Sequence, residues 1–103
     1  MSTDAETLQE TFADILQESA LEPPFKIIIH NDDVTPYDFV VIILQKVFER
    51  TPLEAEHITF VAHTNGMAYV ATYPQTEAQK RVGKAHFAAS LEGYPLMFTI
   101  EPE

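Results

Sequence analysis

Three short polar side chains stand in a row at Asn31, Asp32 and Asp33, followed directly by Val34-Thr35-Pro36. One Asp or Asn is enough to make a turn, and Thr35 is placed to cap the helix that follows, so acceptor atoms are left over. Surplus acceptors at a rim suit an ammonium group, which carries three donors and no acceptor. His63, three residues ahead of Gly66, is a second element that could carry chemistry. Each element also has a plainer reading. The triplet alone is a turn with a helix cap, and His63 alone is a surface histidine or a satisfied core one. His30 abuts the triplet at a strand end, where its ring can point either way. His57 and His86 read as ordinary helix-surface positions.

Other chemistries find less support. His30, His63 and Asp32 or Asp33 could be assembled into a metal site, but no local spacing such as H-E-x-x-H favours it. No G-x-S-x-G element places a serine on a strained elbow. The three glycines, Gly66, Gly83 and Gly93, lie too far apart for a phosphate-cradling loop. The chain has no cysteine, hence no disulfide, thiolate ligand or cysteine nucleophile.

The elements that must position these residues follow from pattern. Pro23-Pro24 marks a boundary between an N-terminal stretch and a folded domain, giving an acidic extension over 1–22 and a domain over 23–103. Phe25 to Ile29 alternates and is rich in β-branched residues, which predicts a strand. Thr35-Pro36-Tyr37-Asp38 predicts a helix start, with Thr35 as N-cap, Pro36 in the first helical position and Asp38 reaching back as in a capping box. That helix is expected to run to about Glu49, burying Val40, Ile43, Leu44, Val47 and Phe48. Thr51-Pro52-Leu53-Glu54 repeats the device and starts a helix to about Thr64, closed at Asn65-Gly66. Met67 to Tyr73 predicts a strand and Pro74 to about Leu91 a helix with Ala78, Val82, Ala85 and Ala88 or Ala89 inward. Pro95 to Ile100 predicts the last strand. The order β-α-α-β-α-β implies an α+β sandwich, a three-stranded antiparallel sheet with three helices on one face.

Composition bounds the function. The chain has 103 residues, 46% of them hydrophobic, which fits one domain with one modest core. Formal net charge is −10. Six acidic residues (Asp4, Glu6, Glu10, Asp14, Glu18 and Glu22) and no Lys or Arg fall within 1–22, leaving −4 on the rest. Leu8, Phe12, Ile15 and Leu16 have near-helical spacing, so this stretch is either a solvated acidic tail or an amphipathic docking arm. Six basic residues are too few for the clustered phosphate contacts of a nucleic-acid binder. Neutral or cationic partners are expected, and a free α-amino group is one such cation. Phe39 to Leu44, the longest apolar run, is too short to span a bilayer, and no signal-peptide pattern is visible. The expectation is a cytosolic, monomeric protein without membrane or cofactor.

Read together, Pro23-Pro24, His30-Asn31-Asp32-Asp33-Val34-Thr35-Pro36, Phe39-Val40, Leu44-Gln45-Lys46-Val47-Phe48, Ala62-His63 before Gly66, and Tyr94-Pro95-Leu96 resemble the ClpS family. The resemblance covers about residues 23–102. ClpS proteins are non-enzymatic adaptors of bacteria and plastids that deliver N-degron substrates to the ClpA or ClpC unfoldase of the Clp protease. Their fold is similar to the C-terminal domain of the ribosomal stalk protein. The resemblance implies that Asn31 and His63 accept hydrogen bonds from the substrate's α-amino group, with Asp32 acting directly or through water. It implies a pocket for a first residue Leu, Phe, Tyr or Trp, walled by Asp33, Thr35, Pro36, Tyr37, Val40, Thr59, Ala62 and Leu96. It also implies docking of the N-terminal domain of the Clp AAA+ unfoldase near the start of the third helix, through Glu77 and Arg81, where the plainer reading is a solvated helix face. The compartment implied is the bacterial cytosol or the plastid stroma.

The chain departs from the family at three pocket positions. Tyr37 and Thr59 stand where the family has Met, and Ala62 where it has Val. Tyr37 either replaces the Met as a wall or fills the pocket, while the smaller Thr59 and Ala62 make room for its ring or widen the space. These departures keep open a second function, a ClpS-like module that regulates the unfoldase with altered or lost N-degron recognition. A small metal-dependent enzyme using the His and Asp cluster is the third.

Overall fold

The computed structural model describes residues 21–103. The expected acidic arm, with its Leu8, Phe12, Ile15 and Leu16 stripe, lies outside the described residues. Six elements follow in the order β1 (Pro24–His30), α1 (Tyr37–Lys46), α2 (Pro52–Asn65), β2 (Met67–Pro74), α3 (Gln75–Leu91) and β3 (Met97–Pro102). The strands form one sheet of order β2-β1-β3, with β1 antiparallel to both neighbours.

Alternation along β1 sends Ile27 and Ile29 into the core, while Lys26, Ile28 and His30 face the open side. The register against β2 shifts between Ile27 and Ile28, which face Ala71 and Tyr69. This bulge lets both Val70 and Ala71 turn inward although they are consecutive. The helices cover the inner face. Ala78, Ala85 and Ala89 line the buried side of α3, and their small size brings that helix close to the sheet. Phe48 is fully buried against Phe98, ring centroids 4.8 Å apart. Burying a side chain of that size is worth about 1.5–3 kcal/mol. Among the described residues no helix is long and apolar enough to cross a membrane.

Both ends of α1 differ from the sequence expectation. Thr35 does not cap α1, because its hydroxyl and its N–H are both donated to Asp32. Pro36 takes the N-cap position instead, with no side-chain cap, and Asp38 contributes only its charge to the first turn. The helix ends at Lys46 rather than Glu49. Glu49 adopts a left-handed conformation (φ 54°) that turns the chain toward α2. The capping box at Thr51 and Glu54 is formed as expected: the Thr51 hydroxyl accepts from the Glu54 N–H, and the Glu54 carboxylate from the Thr51 N–H. For α3, Pro74 is the N-cap, and the Glu22 carboxylate accepts the Thr76 N–H at 2.7 Å. A residue distant in sequence thus satisfies an orphan donor of that helix end.

Candidate functional site

The site is built where β1 ends. The Asn31 N–H donates to the Gly66 carbonyl at 2.9 Å, and the Gly66 N–H donates back to Ala62 at 2.8 Å. Gly66 closes α2 in the left-handed region (φ 91°), which costs glycine little and other residues more. This bond pins the start of the polar loop to the last turn of α2, the turn that carries His63. Two parts of the chain more than thirty positions apart thereby present their side chains to one mouth.

Asp32 shapes the loop between them. Its Oδ1 accepts the N–H groups of Val34 (2.8 Å) and Thr35 (2.6 Å), and its Oδ2 accepts the Thr35 hydroxyl (2.9 Å). Partial burial pushes this carboxyl up, but the three hydrogen bonds outweigh it and hold the group below its ordinary value. Asp32 is therefore a fixed negative charge at the mouth, and its place does not depend on a ligand.

Beneath the loop lies a cavity of about 180 Å³. Asn31, Asp32, Asp33 and His63 line its polar side, with Thr35 and Tyr37 beside them, and Val40, Thr59, Ala62 and Leu96 form its apolar wall. Val40, Thr59, Ala62 and Leu96 are themselves buried, so the wall is part of the core. Thr59 donates its hydroxyl to the Ala55 carbonyl at 2.7 Å, one turn back, which leaves its methyl as the apolar contribution. Tyr37 does not fill the space. Its ring stands edge-on to His63, centroids 6.2 Å apart, and its hydroxyl reaches the Glu56 carbonyl at 3.4 Å.

Of the residues expected at the pocket, only Pro36 does not line it. Ile29 and His30 line it without having been expected there. His30 is held by a 2.7 Å contact between its Nε2 and the Thr99 hydroxyl on β3. Their signal was weak: both lie on β1, whose last inward and outward positions flank the loop. Glu77 and Arg81 lie away from the cavity. The Arg81 guanidinium bonds Glu77 (2.7 Å), Glu49 (2.8 Å) and the Val47 carbonyl (2.8 Å), and lies over the Tyr73 ring. Desolvation works against its charge, but the hydrogen bond to Glu77, with Tyr73 and Glu49 nearby, outweighs it and its pKa is raised. His86 is not the free surface position expected of it. Its Nε2 accepts the Phe98 N–H at 3.0 Å and so ties α3 to β3.

The arrangement is an acceptor-lined mouth over an apolar well, with two carboxylates and no Lys or Arg in its lining. Both threonine hydroxyls in the lining donate within the chain, Thr35 to the Asp32 carboxylate and Thr59 to the Ala55 carbonyl. Among the described residues, no group of three or more His, Cys, Asp or Glu side chains is gathered to hold a metal.

Residues 20–99 match the sequence model of a family described as ATP-dependent Clp protease adaptor protein ClpS. The Clp protease adapter protein ClpS of Nitratidesulfovibrio vulgaris is 40% identical over 88 residues, which is 84% of this chain and 88% of that protein. The ClpS of Clostridium acetobutylicum is 39% identical over 88 residues, 84% of this chain and 87% of that one. The structure of Agrobacterium tumefaciens ClpS2 bound to L-phenylalaninamide superposes with a TM-score of 0.76 at 33% identity, covering 79% of this chain and 98% of that one. On sequence and fold alike, the chain belongs to the ClpS family of Clp protease adaptors.

Proposed function

We propose that this protein is an adaptor, not an enzyme, that captures proteins by a hydrophobic first residue and hands them to a Clp AAA+ unfoldase. The observation that carries the reading is the acceptor-lined mouth over an apolar cavity of about 180 Å³. An apolar cavity of about 150 Å³ takes up benzene, so this one suits a single Leu, Phe or Tyr side chain. Asn31 and His63 accept from the α-ammonium, and Asp32 supplies the counter-charge from its fixed position. The ligand of the Agrobacterium relative, L-phenylalaninamide, combines these two features: a free α-amino group and an aromatic side chain.

Charge-assisted hydrogen bonds contribute about 1.5–3 kcal/mol each, and the buried side chain a similar amount. Ordering and association cost enough of this to leave micromolar affinity, which allows cargo to be released. Docking of the unfoldase falls to the start of α3, where Glu77 and Arg81, already joined to Glu49, present a pre-set cluster of charges. The protein acts there as a monomer.

The test is fluorescence anisotropy with peptides starting in free Leu or Phe and their N-acetylated counterparts. The free peptides bind and the acetylated ones do not. Equal binding of both defeats the reading. Failure of every hydrophobic N-terminus, with unfoldase binding retained, replaces it with a regulatory module whose Tyr37 and Thr59 have closed the pocket to cargo.

A further inference from the structure

On the sheet face turned away from the helices, one row of side chains has donor atoms on all three strands. His30 stands opposite Met67 of β2 on one side and opposite Met97 of β3 on the other. Residues in register across a sheet point to the same side, and alternation along β1 turns His30 outward. Ala68 and Phe98, the next residues along their strands, are buried, so Met67 and Met97 face outward with it. Both methionines are 54% exposed and are not part of the core. Thioether, imidazole and thioether therefore stand side by side on adjacent strands.

We propose that this row binds a soft monovalent metal ion of the Cu(I) or Ag(I) class. The reach is sufficient. Neighbouring strands lie about 4.7–4.9 Å apart, which puts the two methionine Cβ atoms about 9.5 Å apart across His30. Each sulfur stands two bonds beyond its Cβ, as the imidazole Nδ1 does beyond its own. Those bonds, with a metal–sulfur distance of about 2.3 Å on each side, close the gap over the His30 ring. Methionine has three rotatable bonds, so both sulfurs can turn inward without moving the backbone. The ligand set fixes the class of ion, because thioethers select Cu(I) over hard divalent ions. With no cysteine in the chain, no thiolate competes for it. The ring is already oriented: Nε2 lies 2.7 Å from the Thr99 hydroxyl on β3. In the tautomer with its proton on Nε2, His30 donates to that hydroxyl and Nδ1 keeps its lone pair for a metal. Metal-binding histidines are commonly held in this way through their other nitrogen. Lys26, two rows away on the same face, pairs with Glu101 at 3.7 Å, so its charge is partly offset. The chain as a whole carries −10 and favours a bound cation.

The experiment titrates Ag(I) nitrate into the full chain in chloride-free buffer, with the methionine methyl groups labelled with carbon-13. One Ag(I) binds per chain, and the methyl signals of Met67 and Met97 shift together, while Zn(II) leaves both in place. Met67→Leu and Met97→Leu each weaken Ag(I) binding by at least about tenfold, and Thr99→Val, which frees the ring, by about tenfold. All three side chains are exposed, and thermal melts confirm that the variants fold. An Ag(I) affinity unchanged in the Met67→Leu/Met97→Leu double variant overturns the site and assigns the ion to other histidines. Methyl signals that stay in place, or that Zn(II) moves equally, overturn it as well.

Discussion

Asp32→Asn separates the two tasks that Asp32 performs, holding the loop and presenting a charge. The amide oxygen can keep both backbone donors, Val34 and Thr35, and the amide nitrogen can turn to the Thr35 oxygen. The loop therefore survives, at a cost of under about 1 kcal/mol, the usual difference between charged and neutral hydrogen bonds. The negative charge does not survive. For a unit pair about 5 Å apart, at an effective dielectric constant between about 40 and 80, Coulomb's law gives about 0.8–1.7 kcal/mol. Affinity for a free-amine peptide then falls about four- to seventeenfold at low salt, and by less at high salt. Stability changes its pH dependence as well. Because the Asp32 carboxyl is held below its ordinary 3.8, its stabilising contribution is complete above that value and is lost as pH falls through the lower folded one. Urea melts at pH 7 and across the acid range show this loss in the wild type, and the variant lacks the Asp32 share of it. Unchanged affinity of Asp32→Asn at low salt refutes the charge role. A loss of more than about 2 kcal/mol at pH 7 refutes the claim that the amide can replace the carboxylate in the loop.

Two further perturbations test the scaffold and the clamp. His63→Ala and Asn31→Ala each weaken binding by about ten- to hundredfold, the equivalent of one charge-assisted bond; both side chains are exposed, so melting curves stay close to wild type, and a tenfold loss that tracks unfolding instead counts against a direct role. Gly66→Ala costs about 1–2 kcal/mol from the left-handed backbone alone, since an added Cβ meets nothing within 4 Å. A change of less than about 0.3 kcal/mol in urea denaturation shows that the turn relaxes elsewhere.

Much of this fold is legible in the sequence because its signals are local. The Thr51-Pro52-Leu53-Glu54 box forms as its residue types require, and Gly66 takes the conformation that ends α2. The misreadings share a cause, a competition the local pattern does not display. Thr35 has the chemistry of a cap, but Asp32, three residues earlier, captures both its hydroxyl and its N–H. The end of α1 at Lys46 goes with Phe48 packing on Phe98 in β3 and with the left-handed turn at Glu49, neither of which the local pattern displays. His86 looks solvated until β3, a strand far along the chain, brings the Phe98 N–H to it. At the site, the acceptors were visible as an excess of polar residues, and the walls through the family resemblance. The bond from Asn31 to Gly66 that unites the acceptors is non-local and has no sequence signature.

The central place of β1 has a mechanical consequence. Both edges of that strand are bonded, to β2 and to β3, so its amides belong to the part of the molecule that opens last. The loop bearing Asn31 and Asp32 leaves directly from its end. Loosening this end of the site therefore demands the opening energy of the whole sheet rather than a local fraying, and amide exchange at Ile27 and Ile29 is expected near the global limit. If the site holds cargo as proposed, that cargo leaves by its own dissociation or by a pull on it, while the adaptor stays folded.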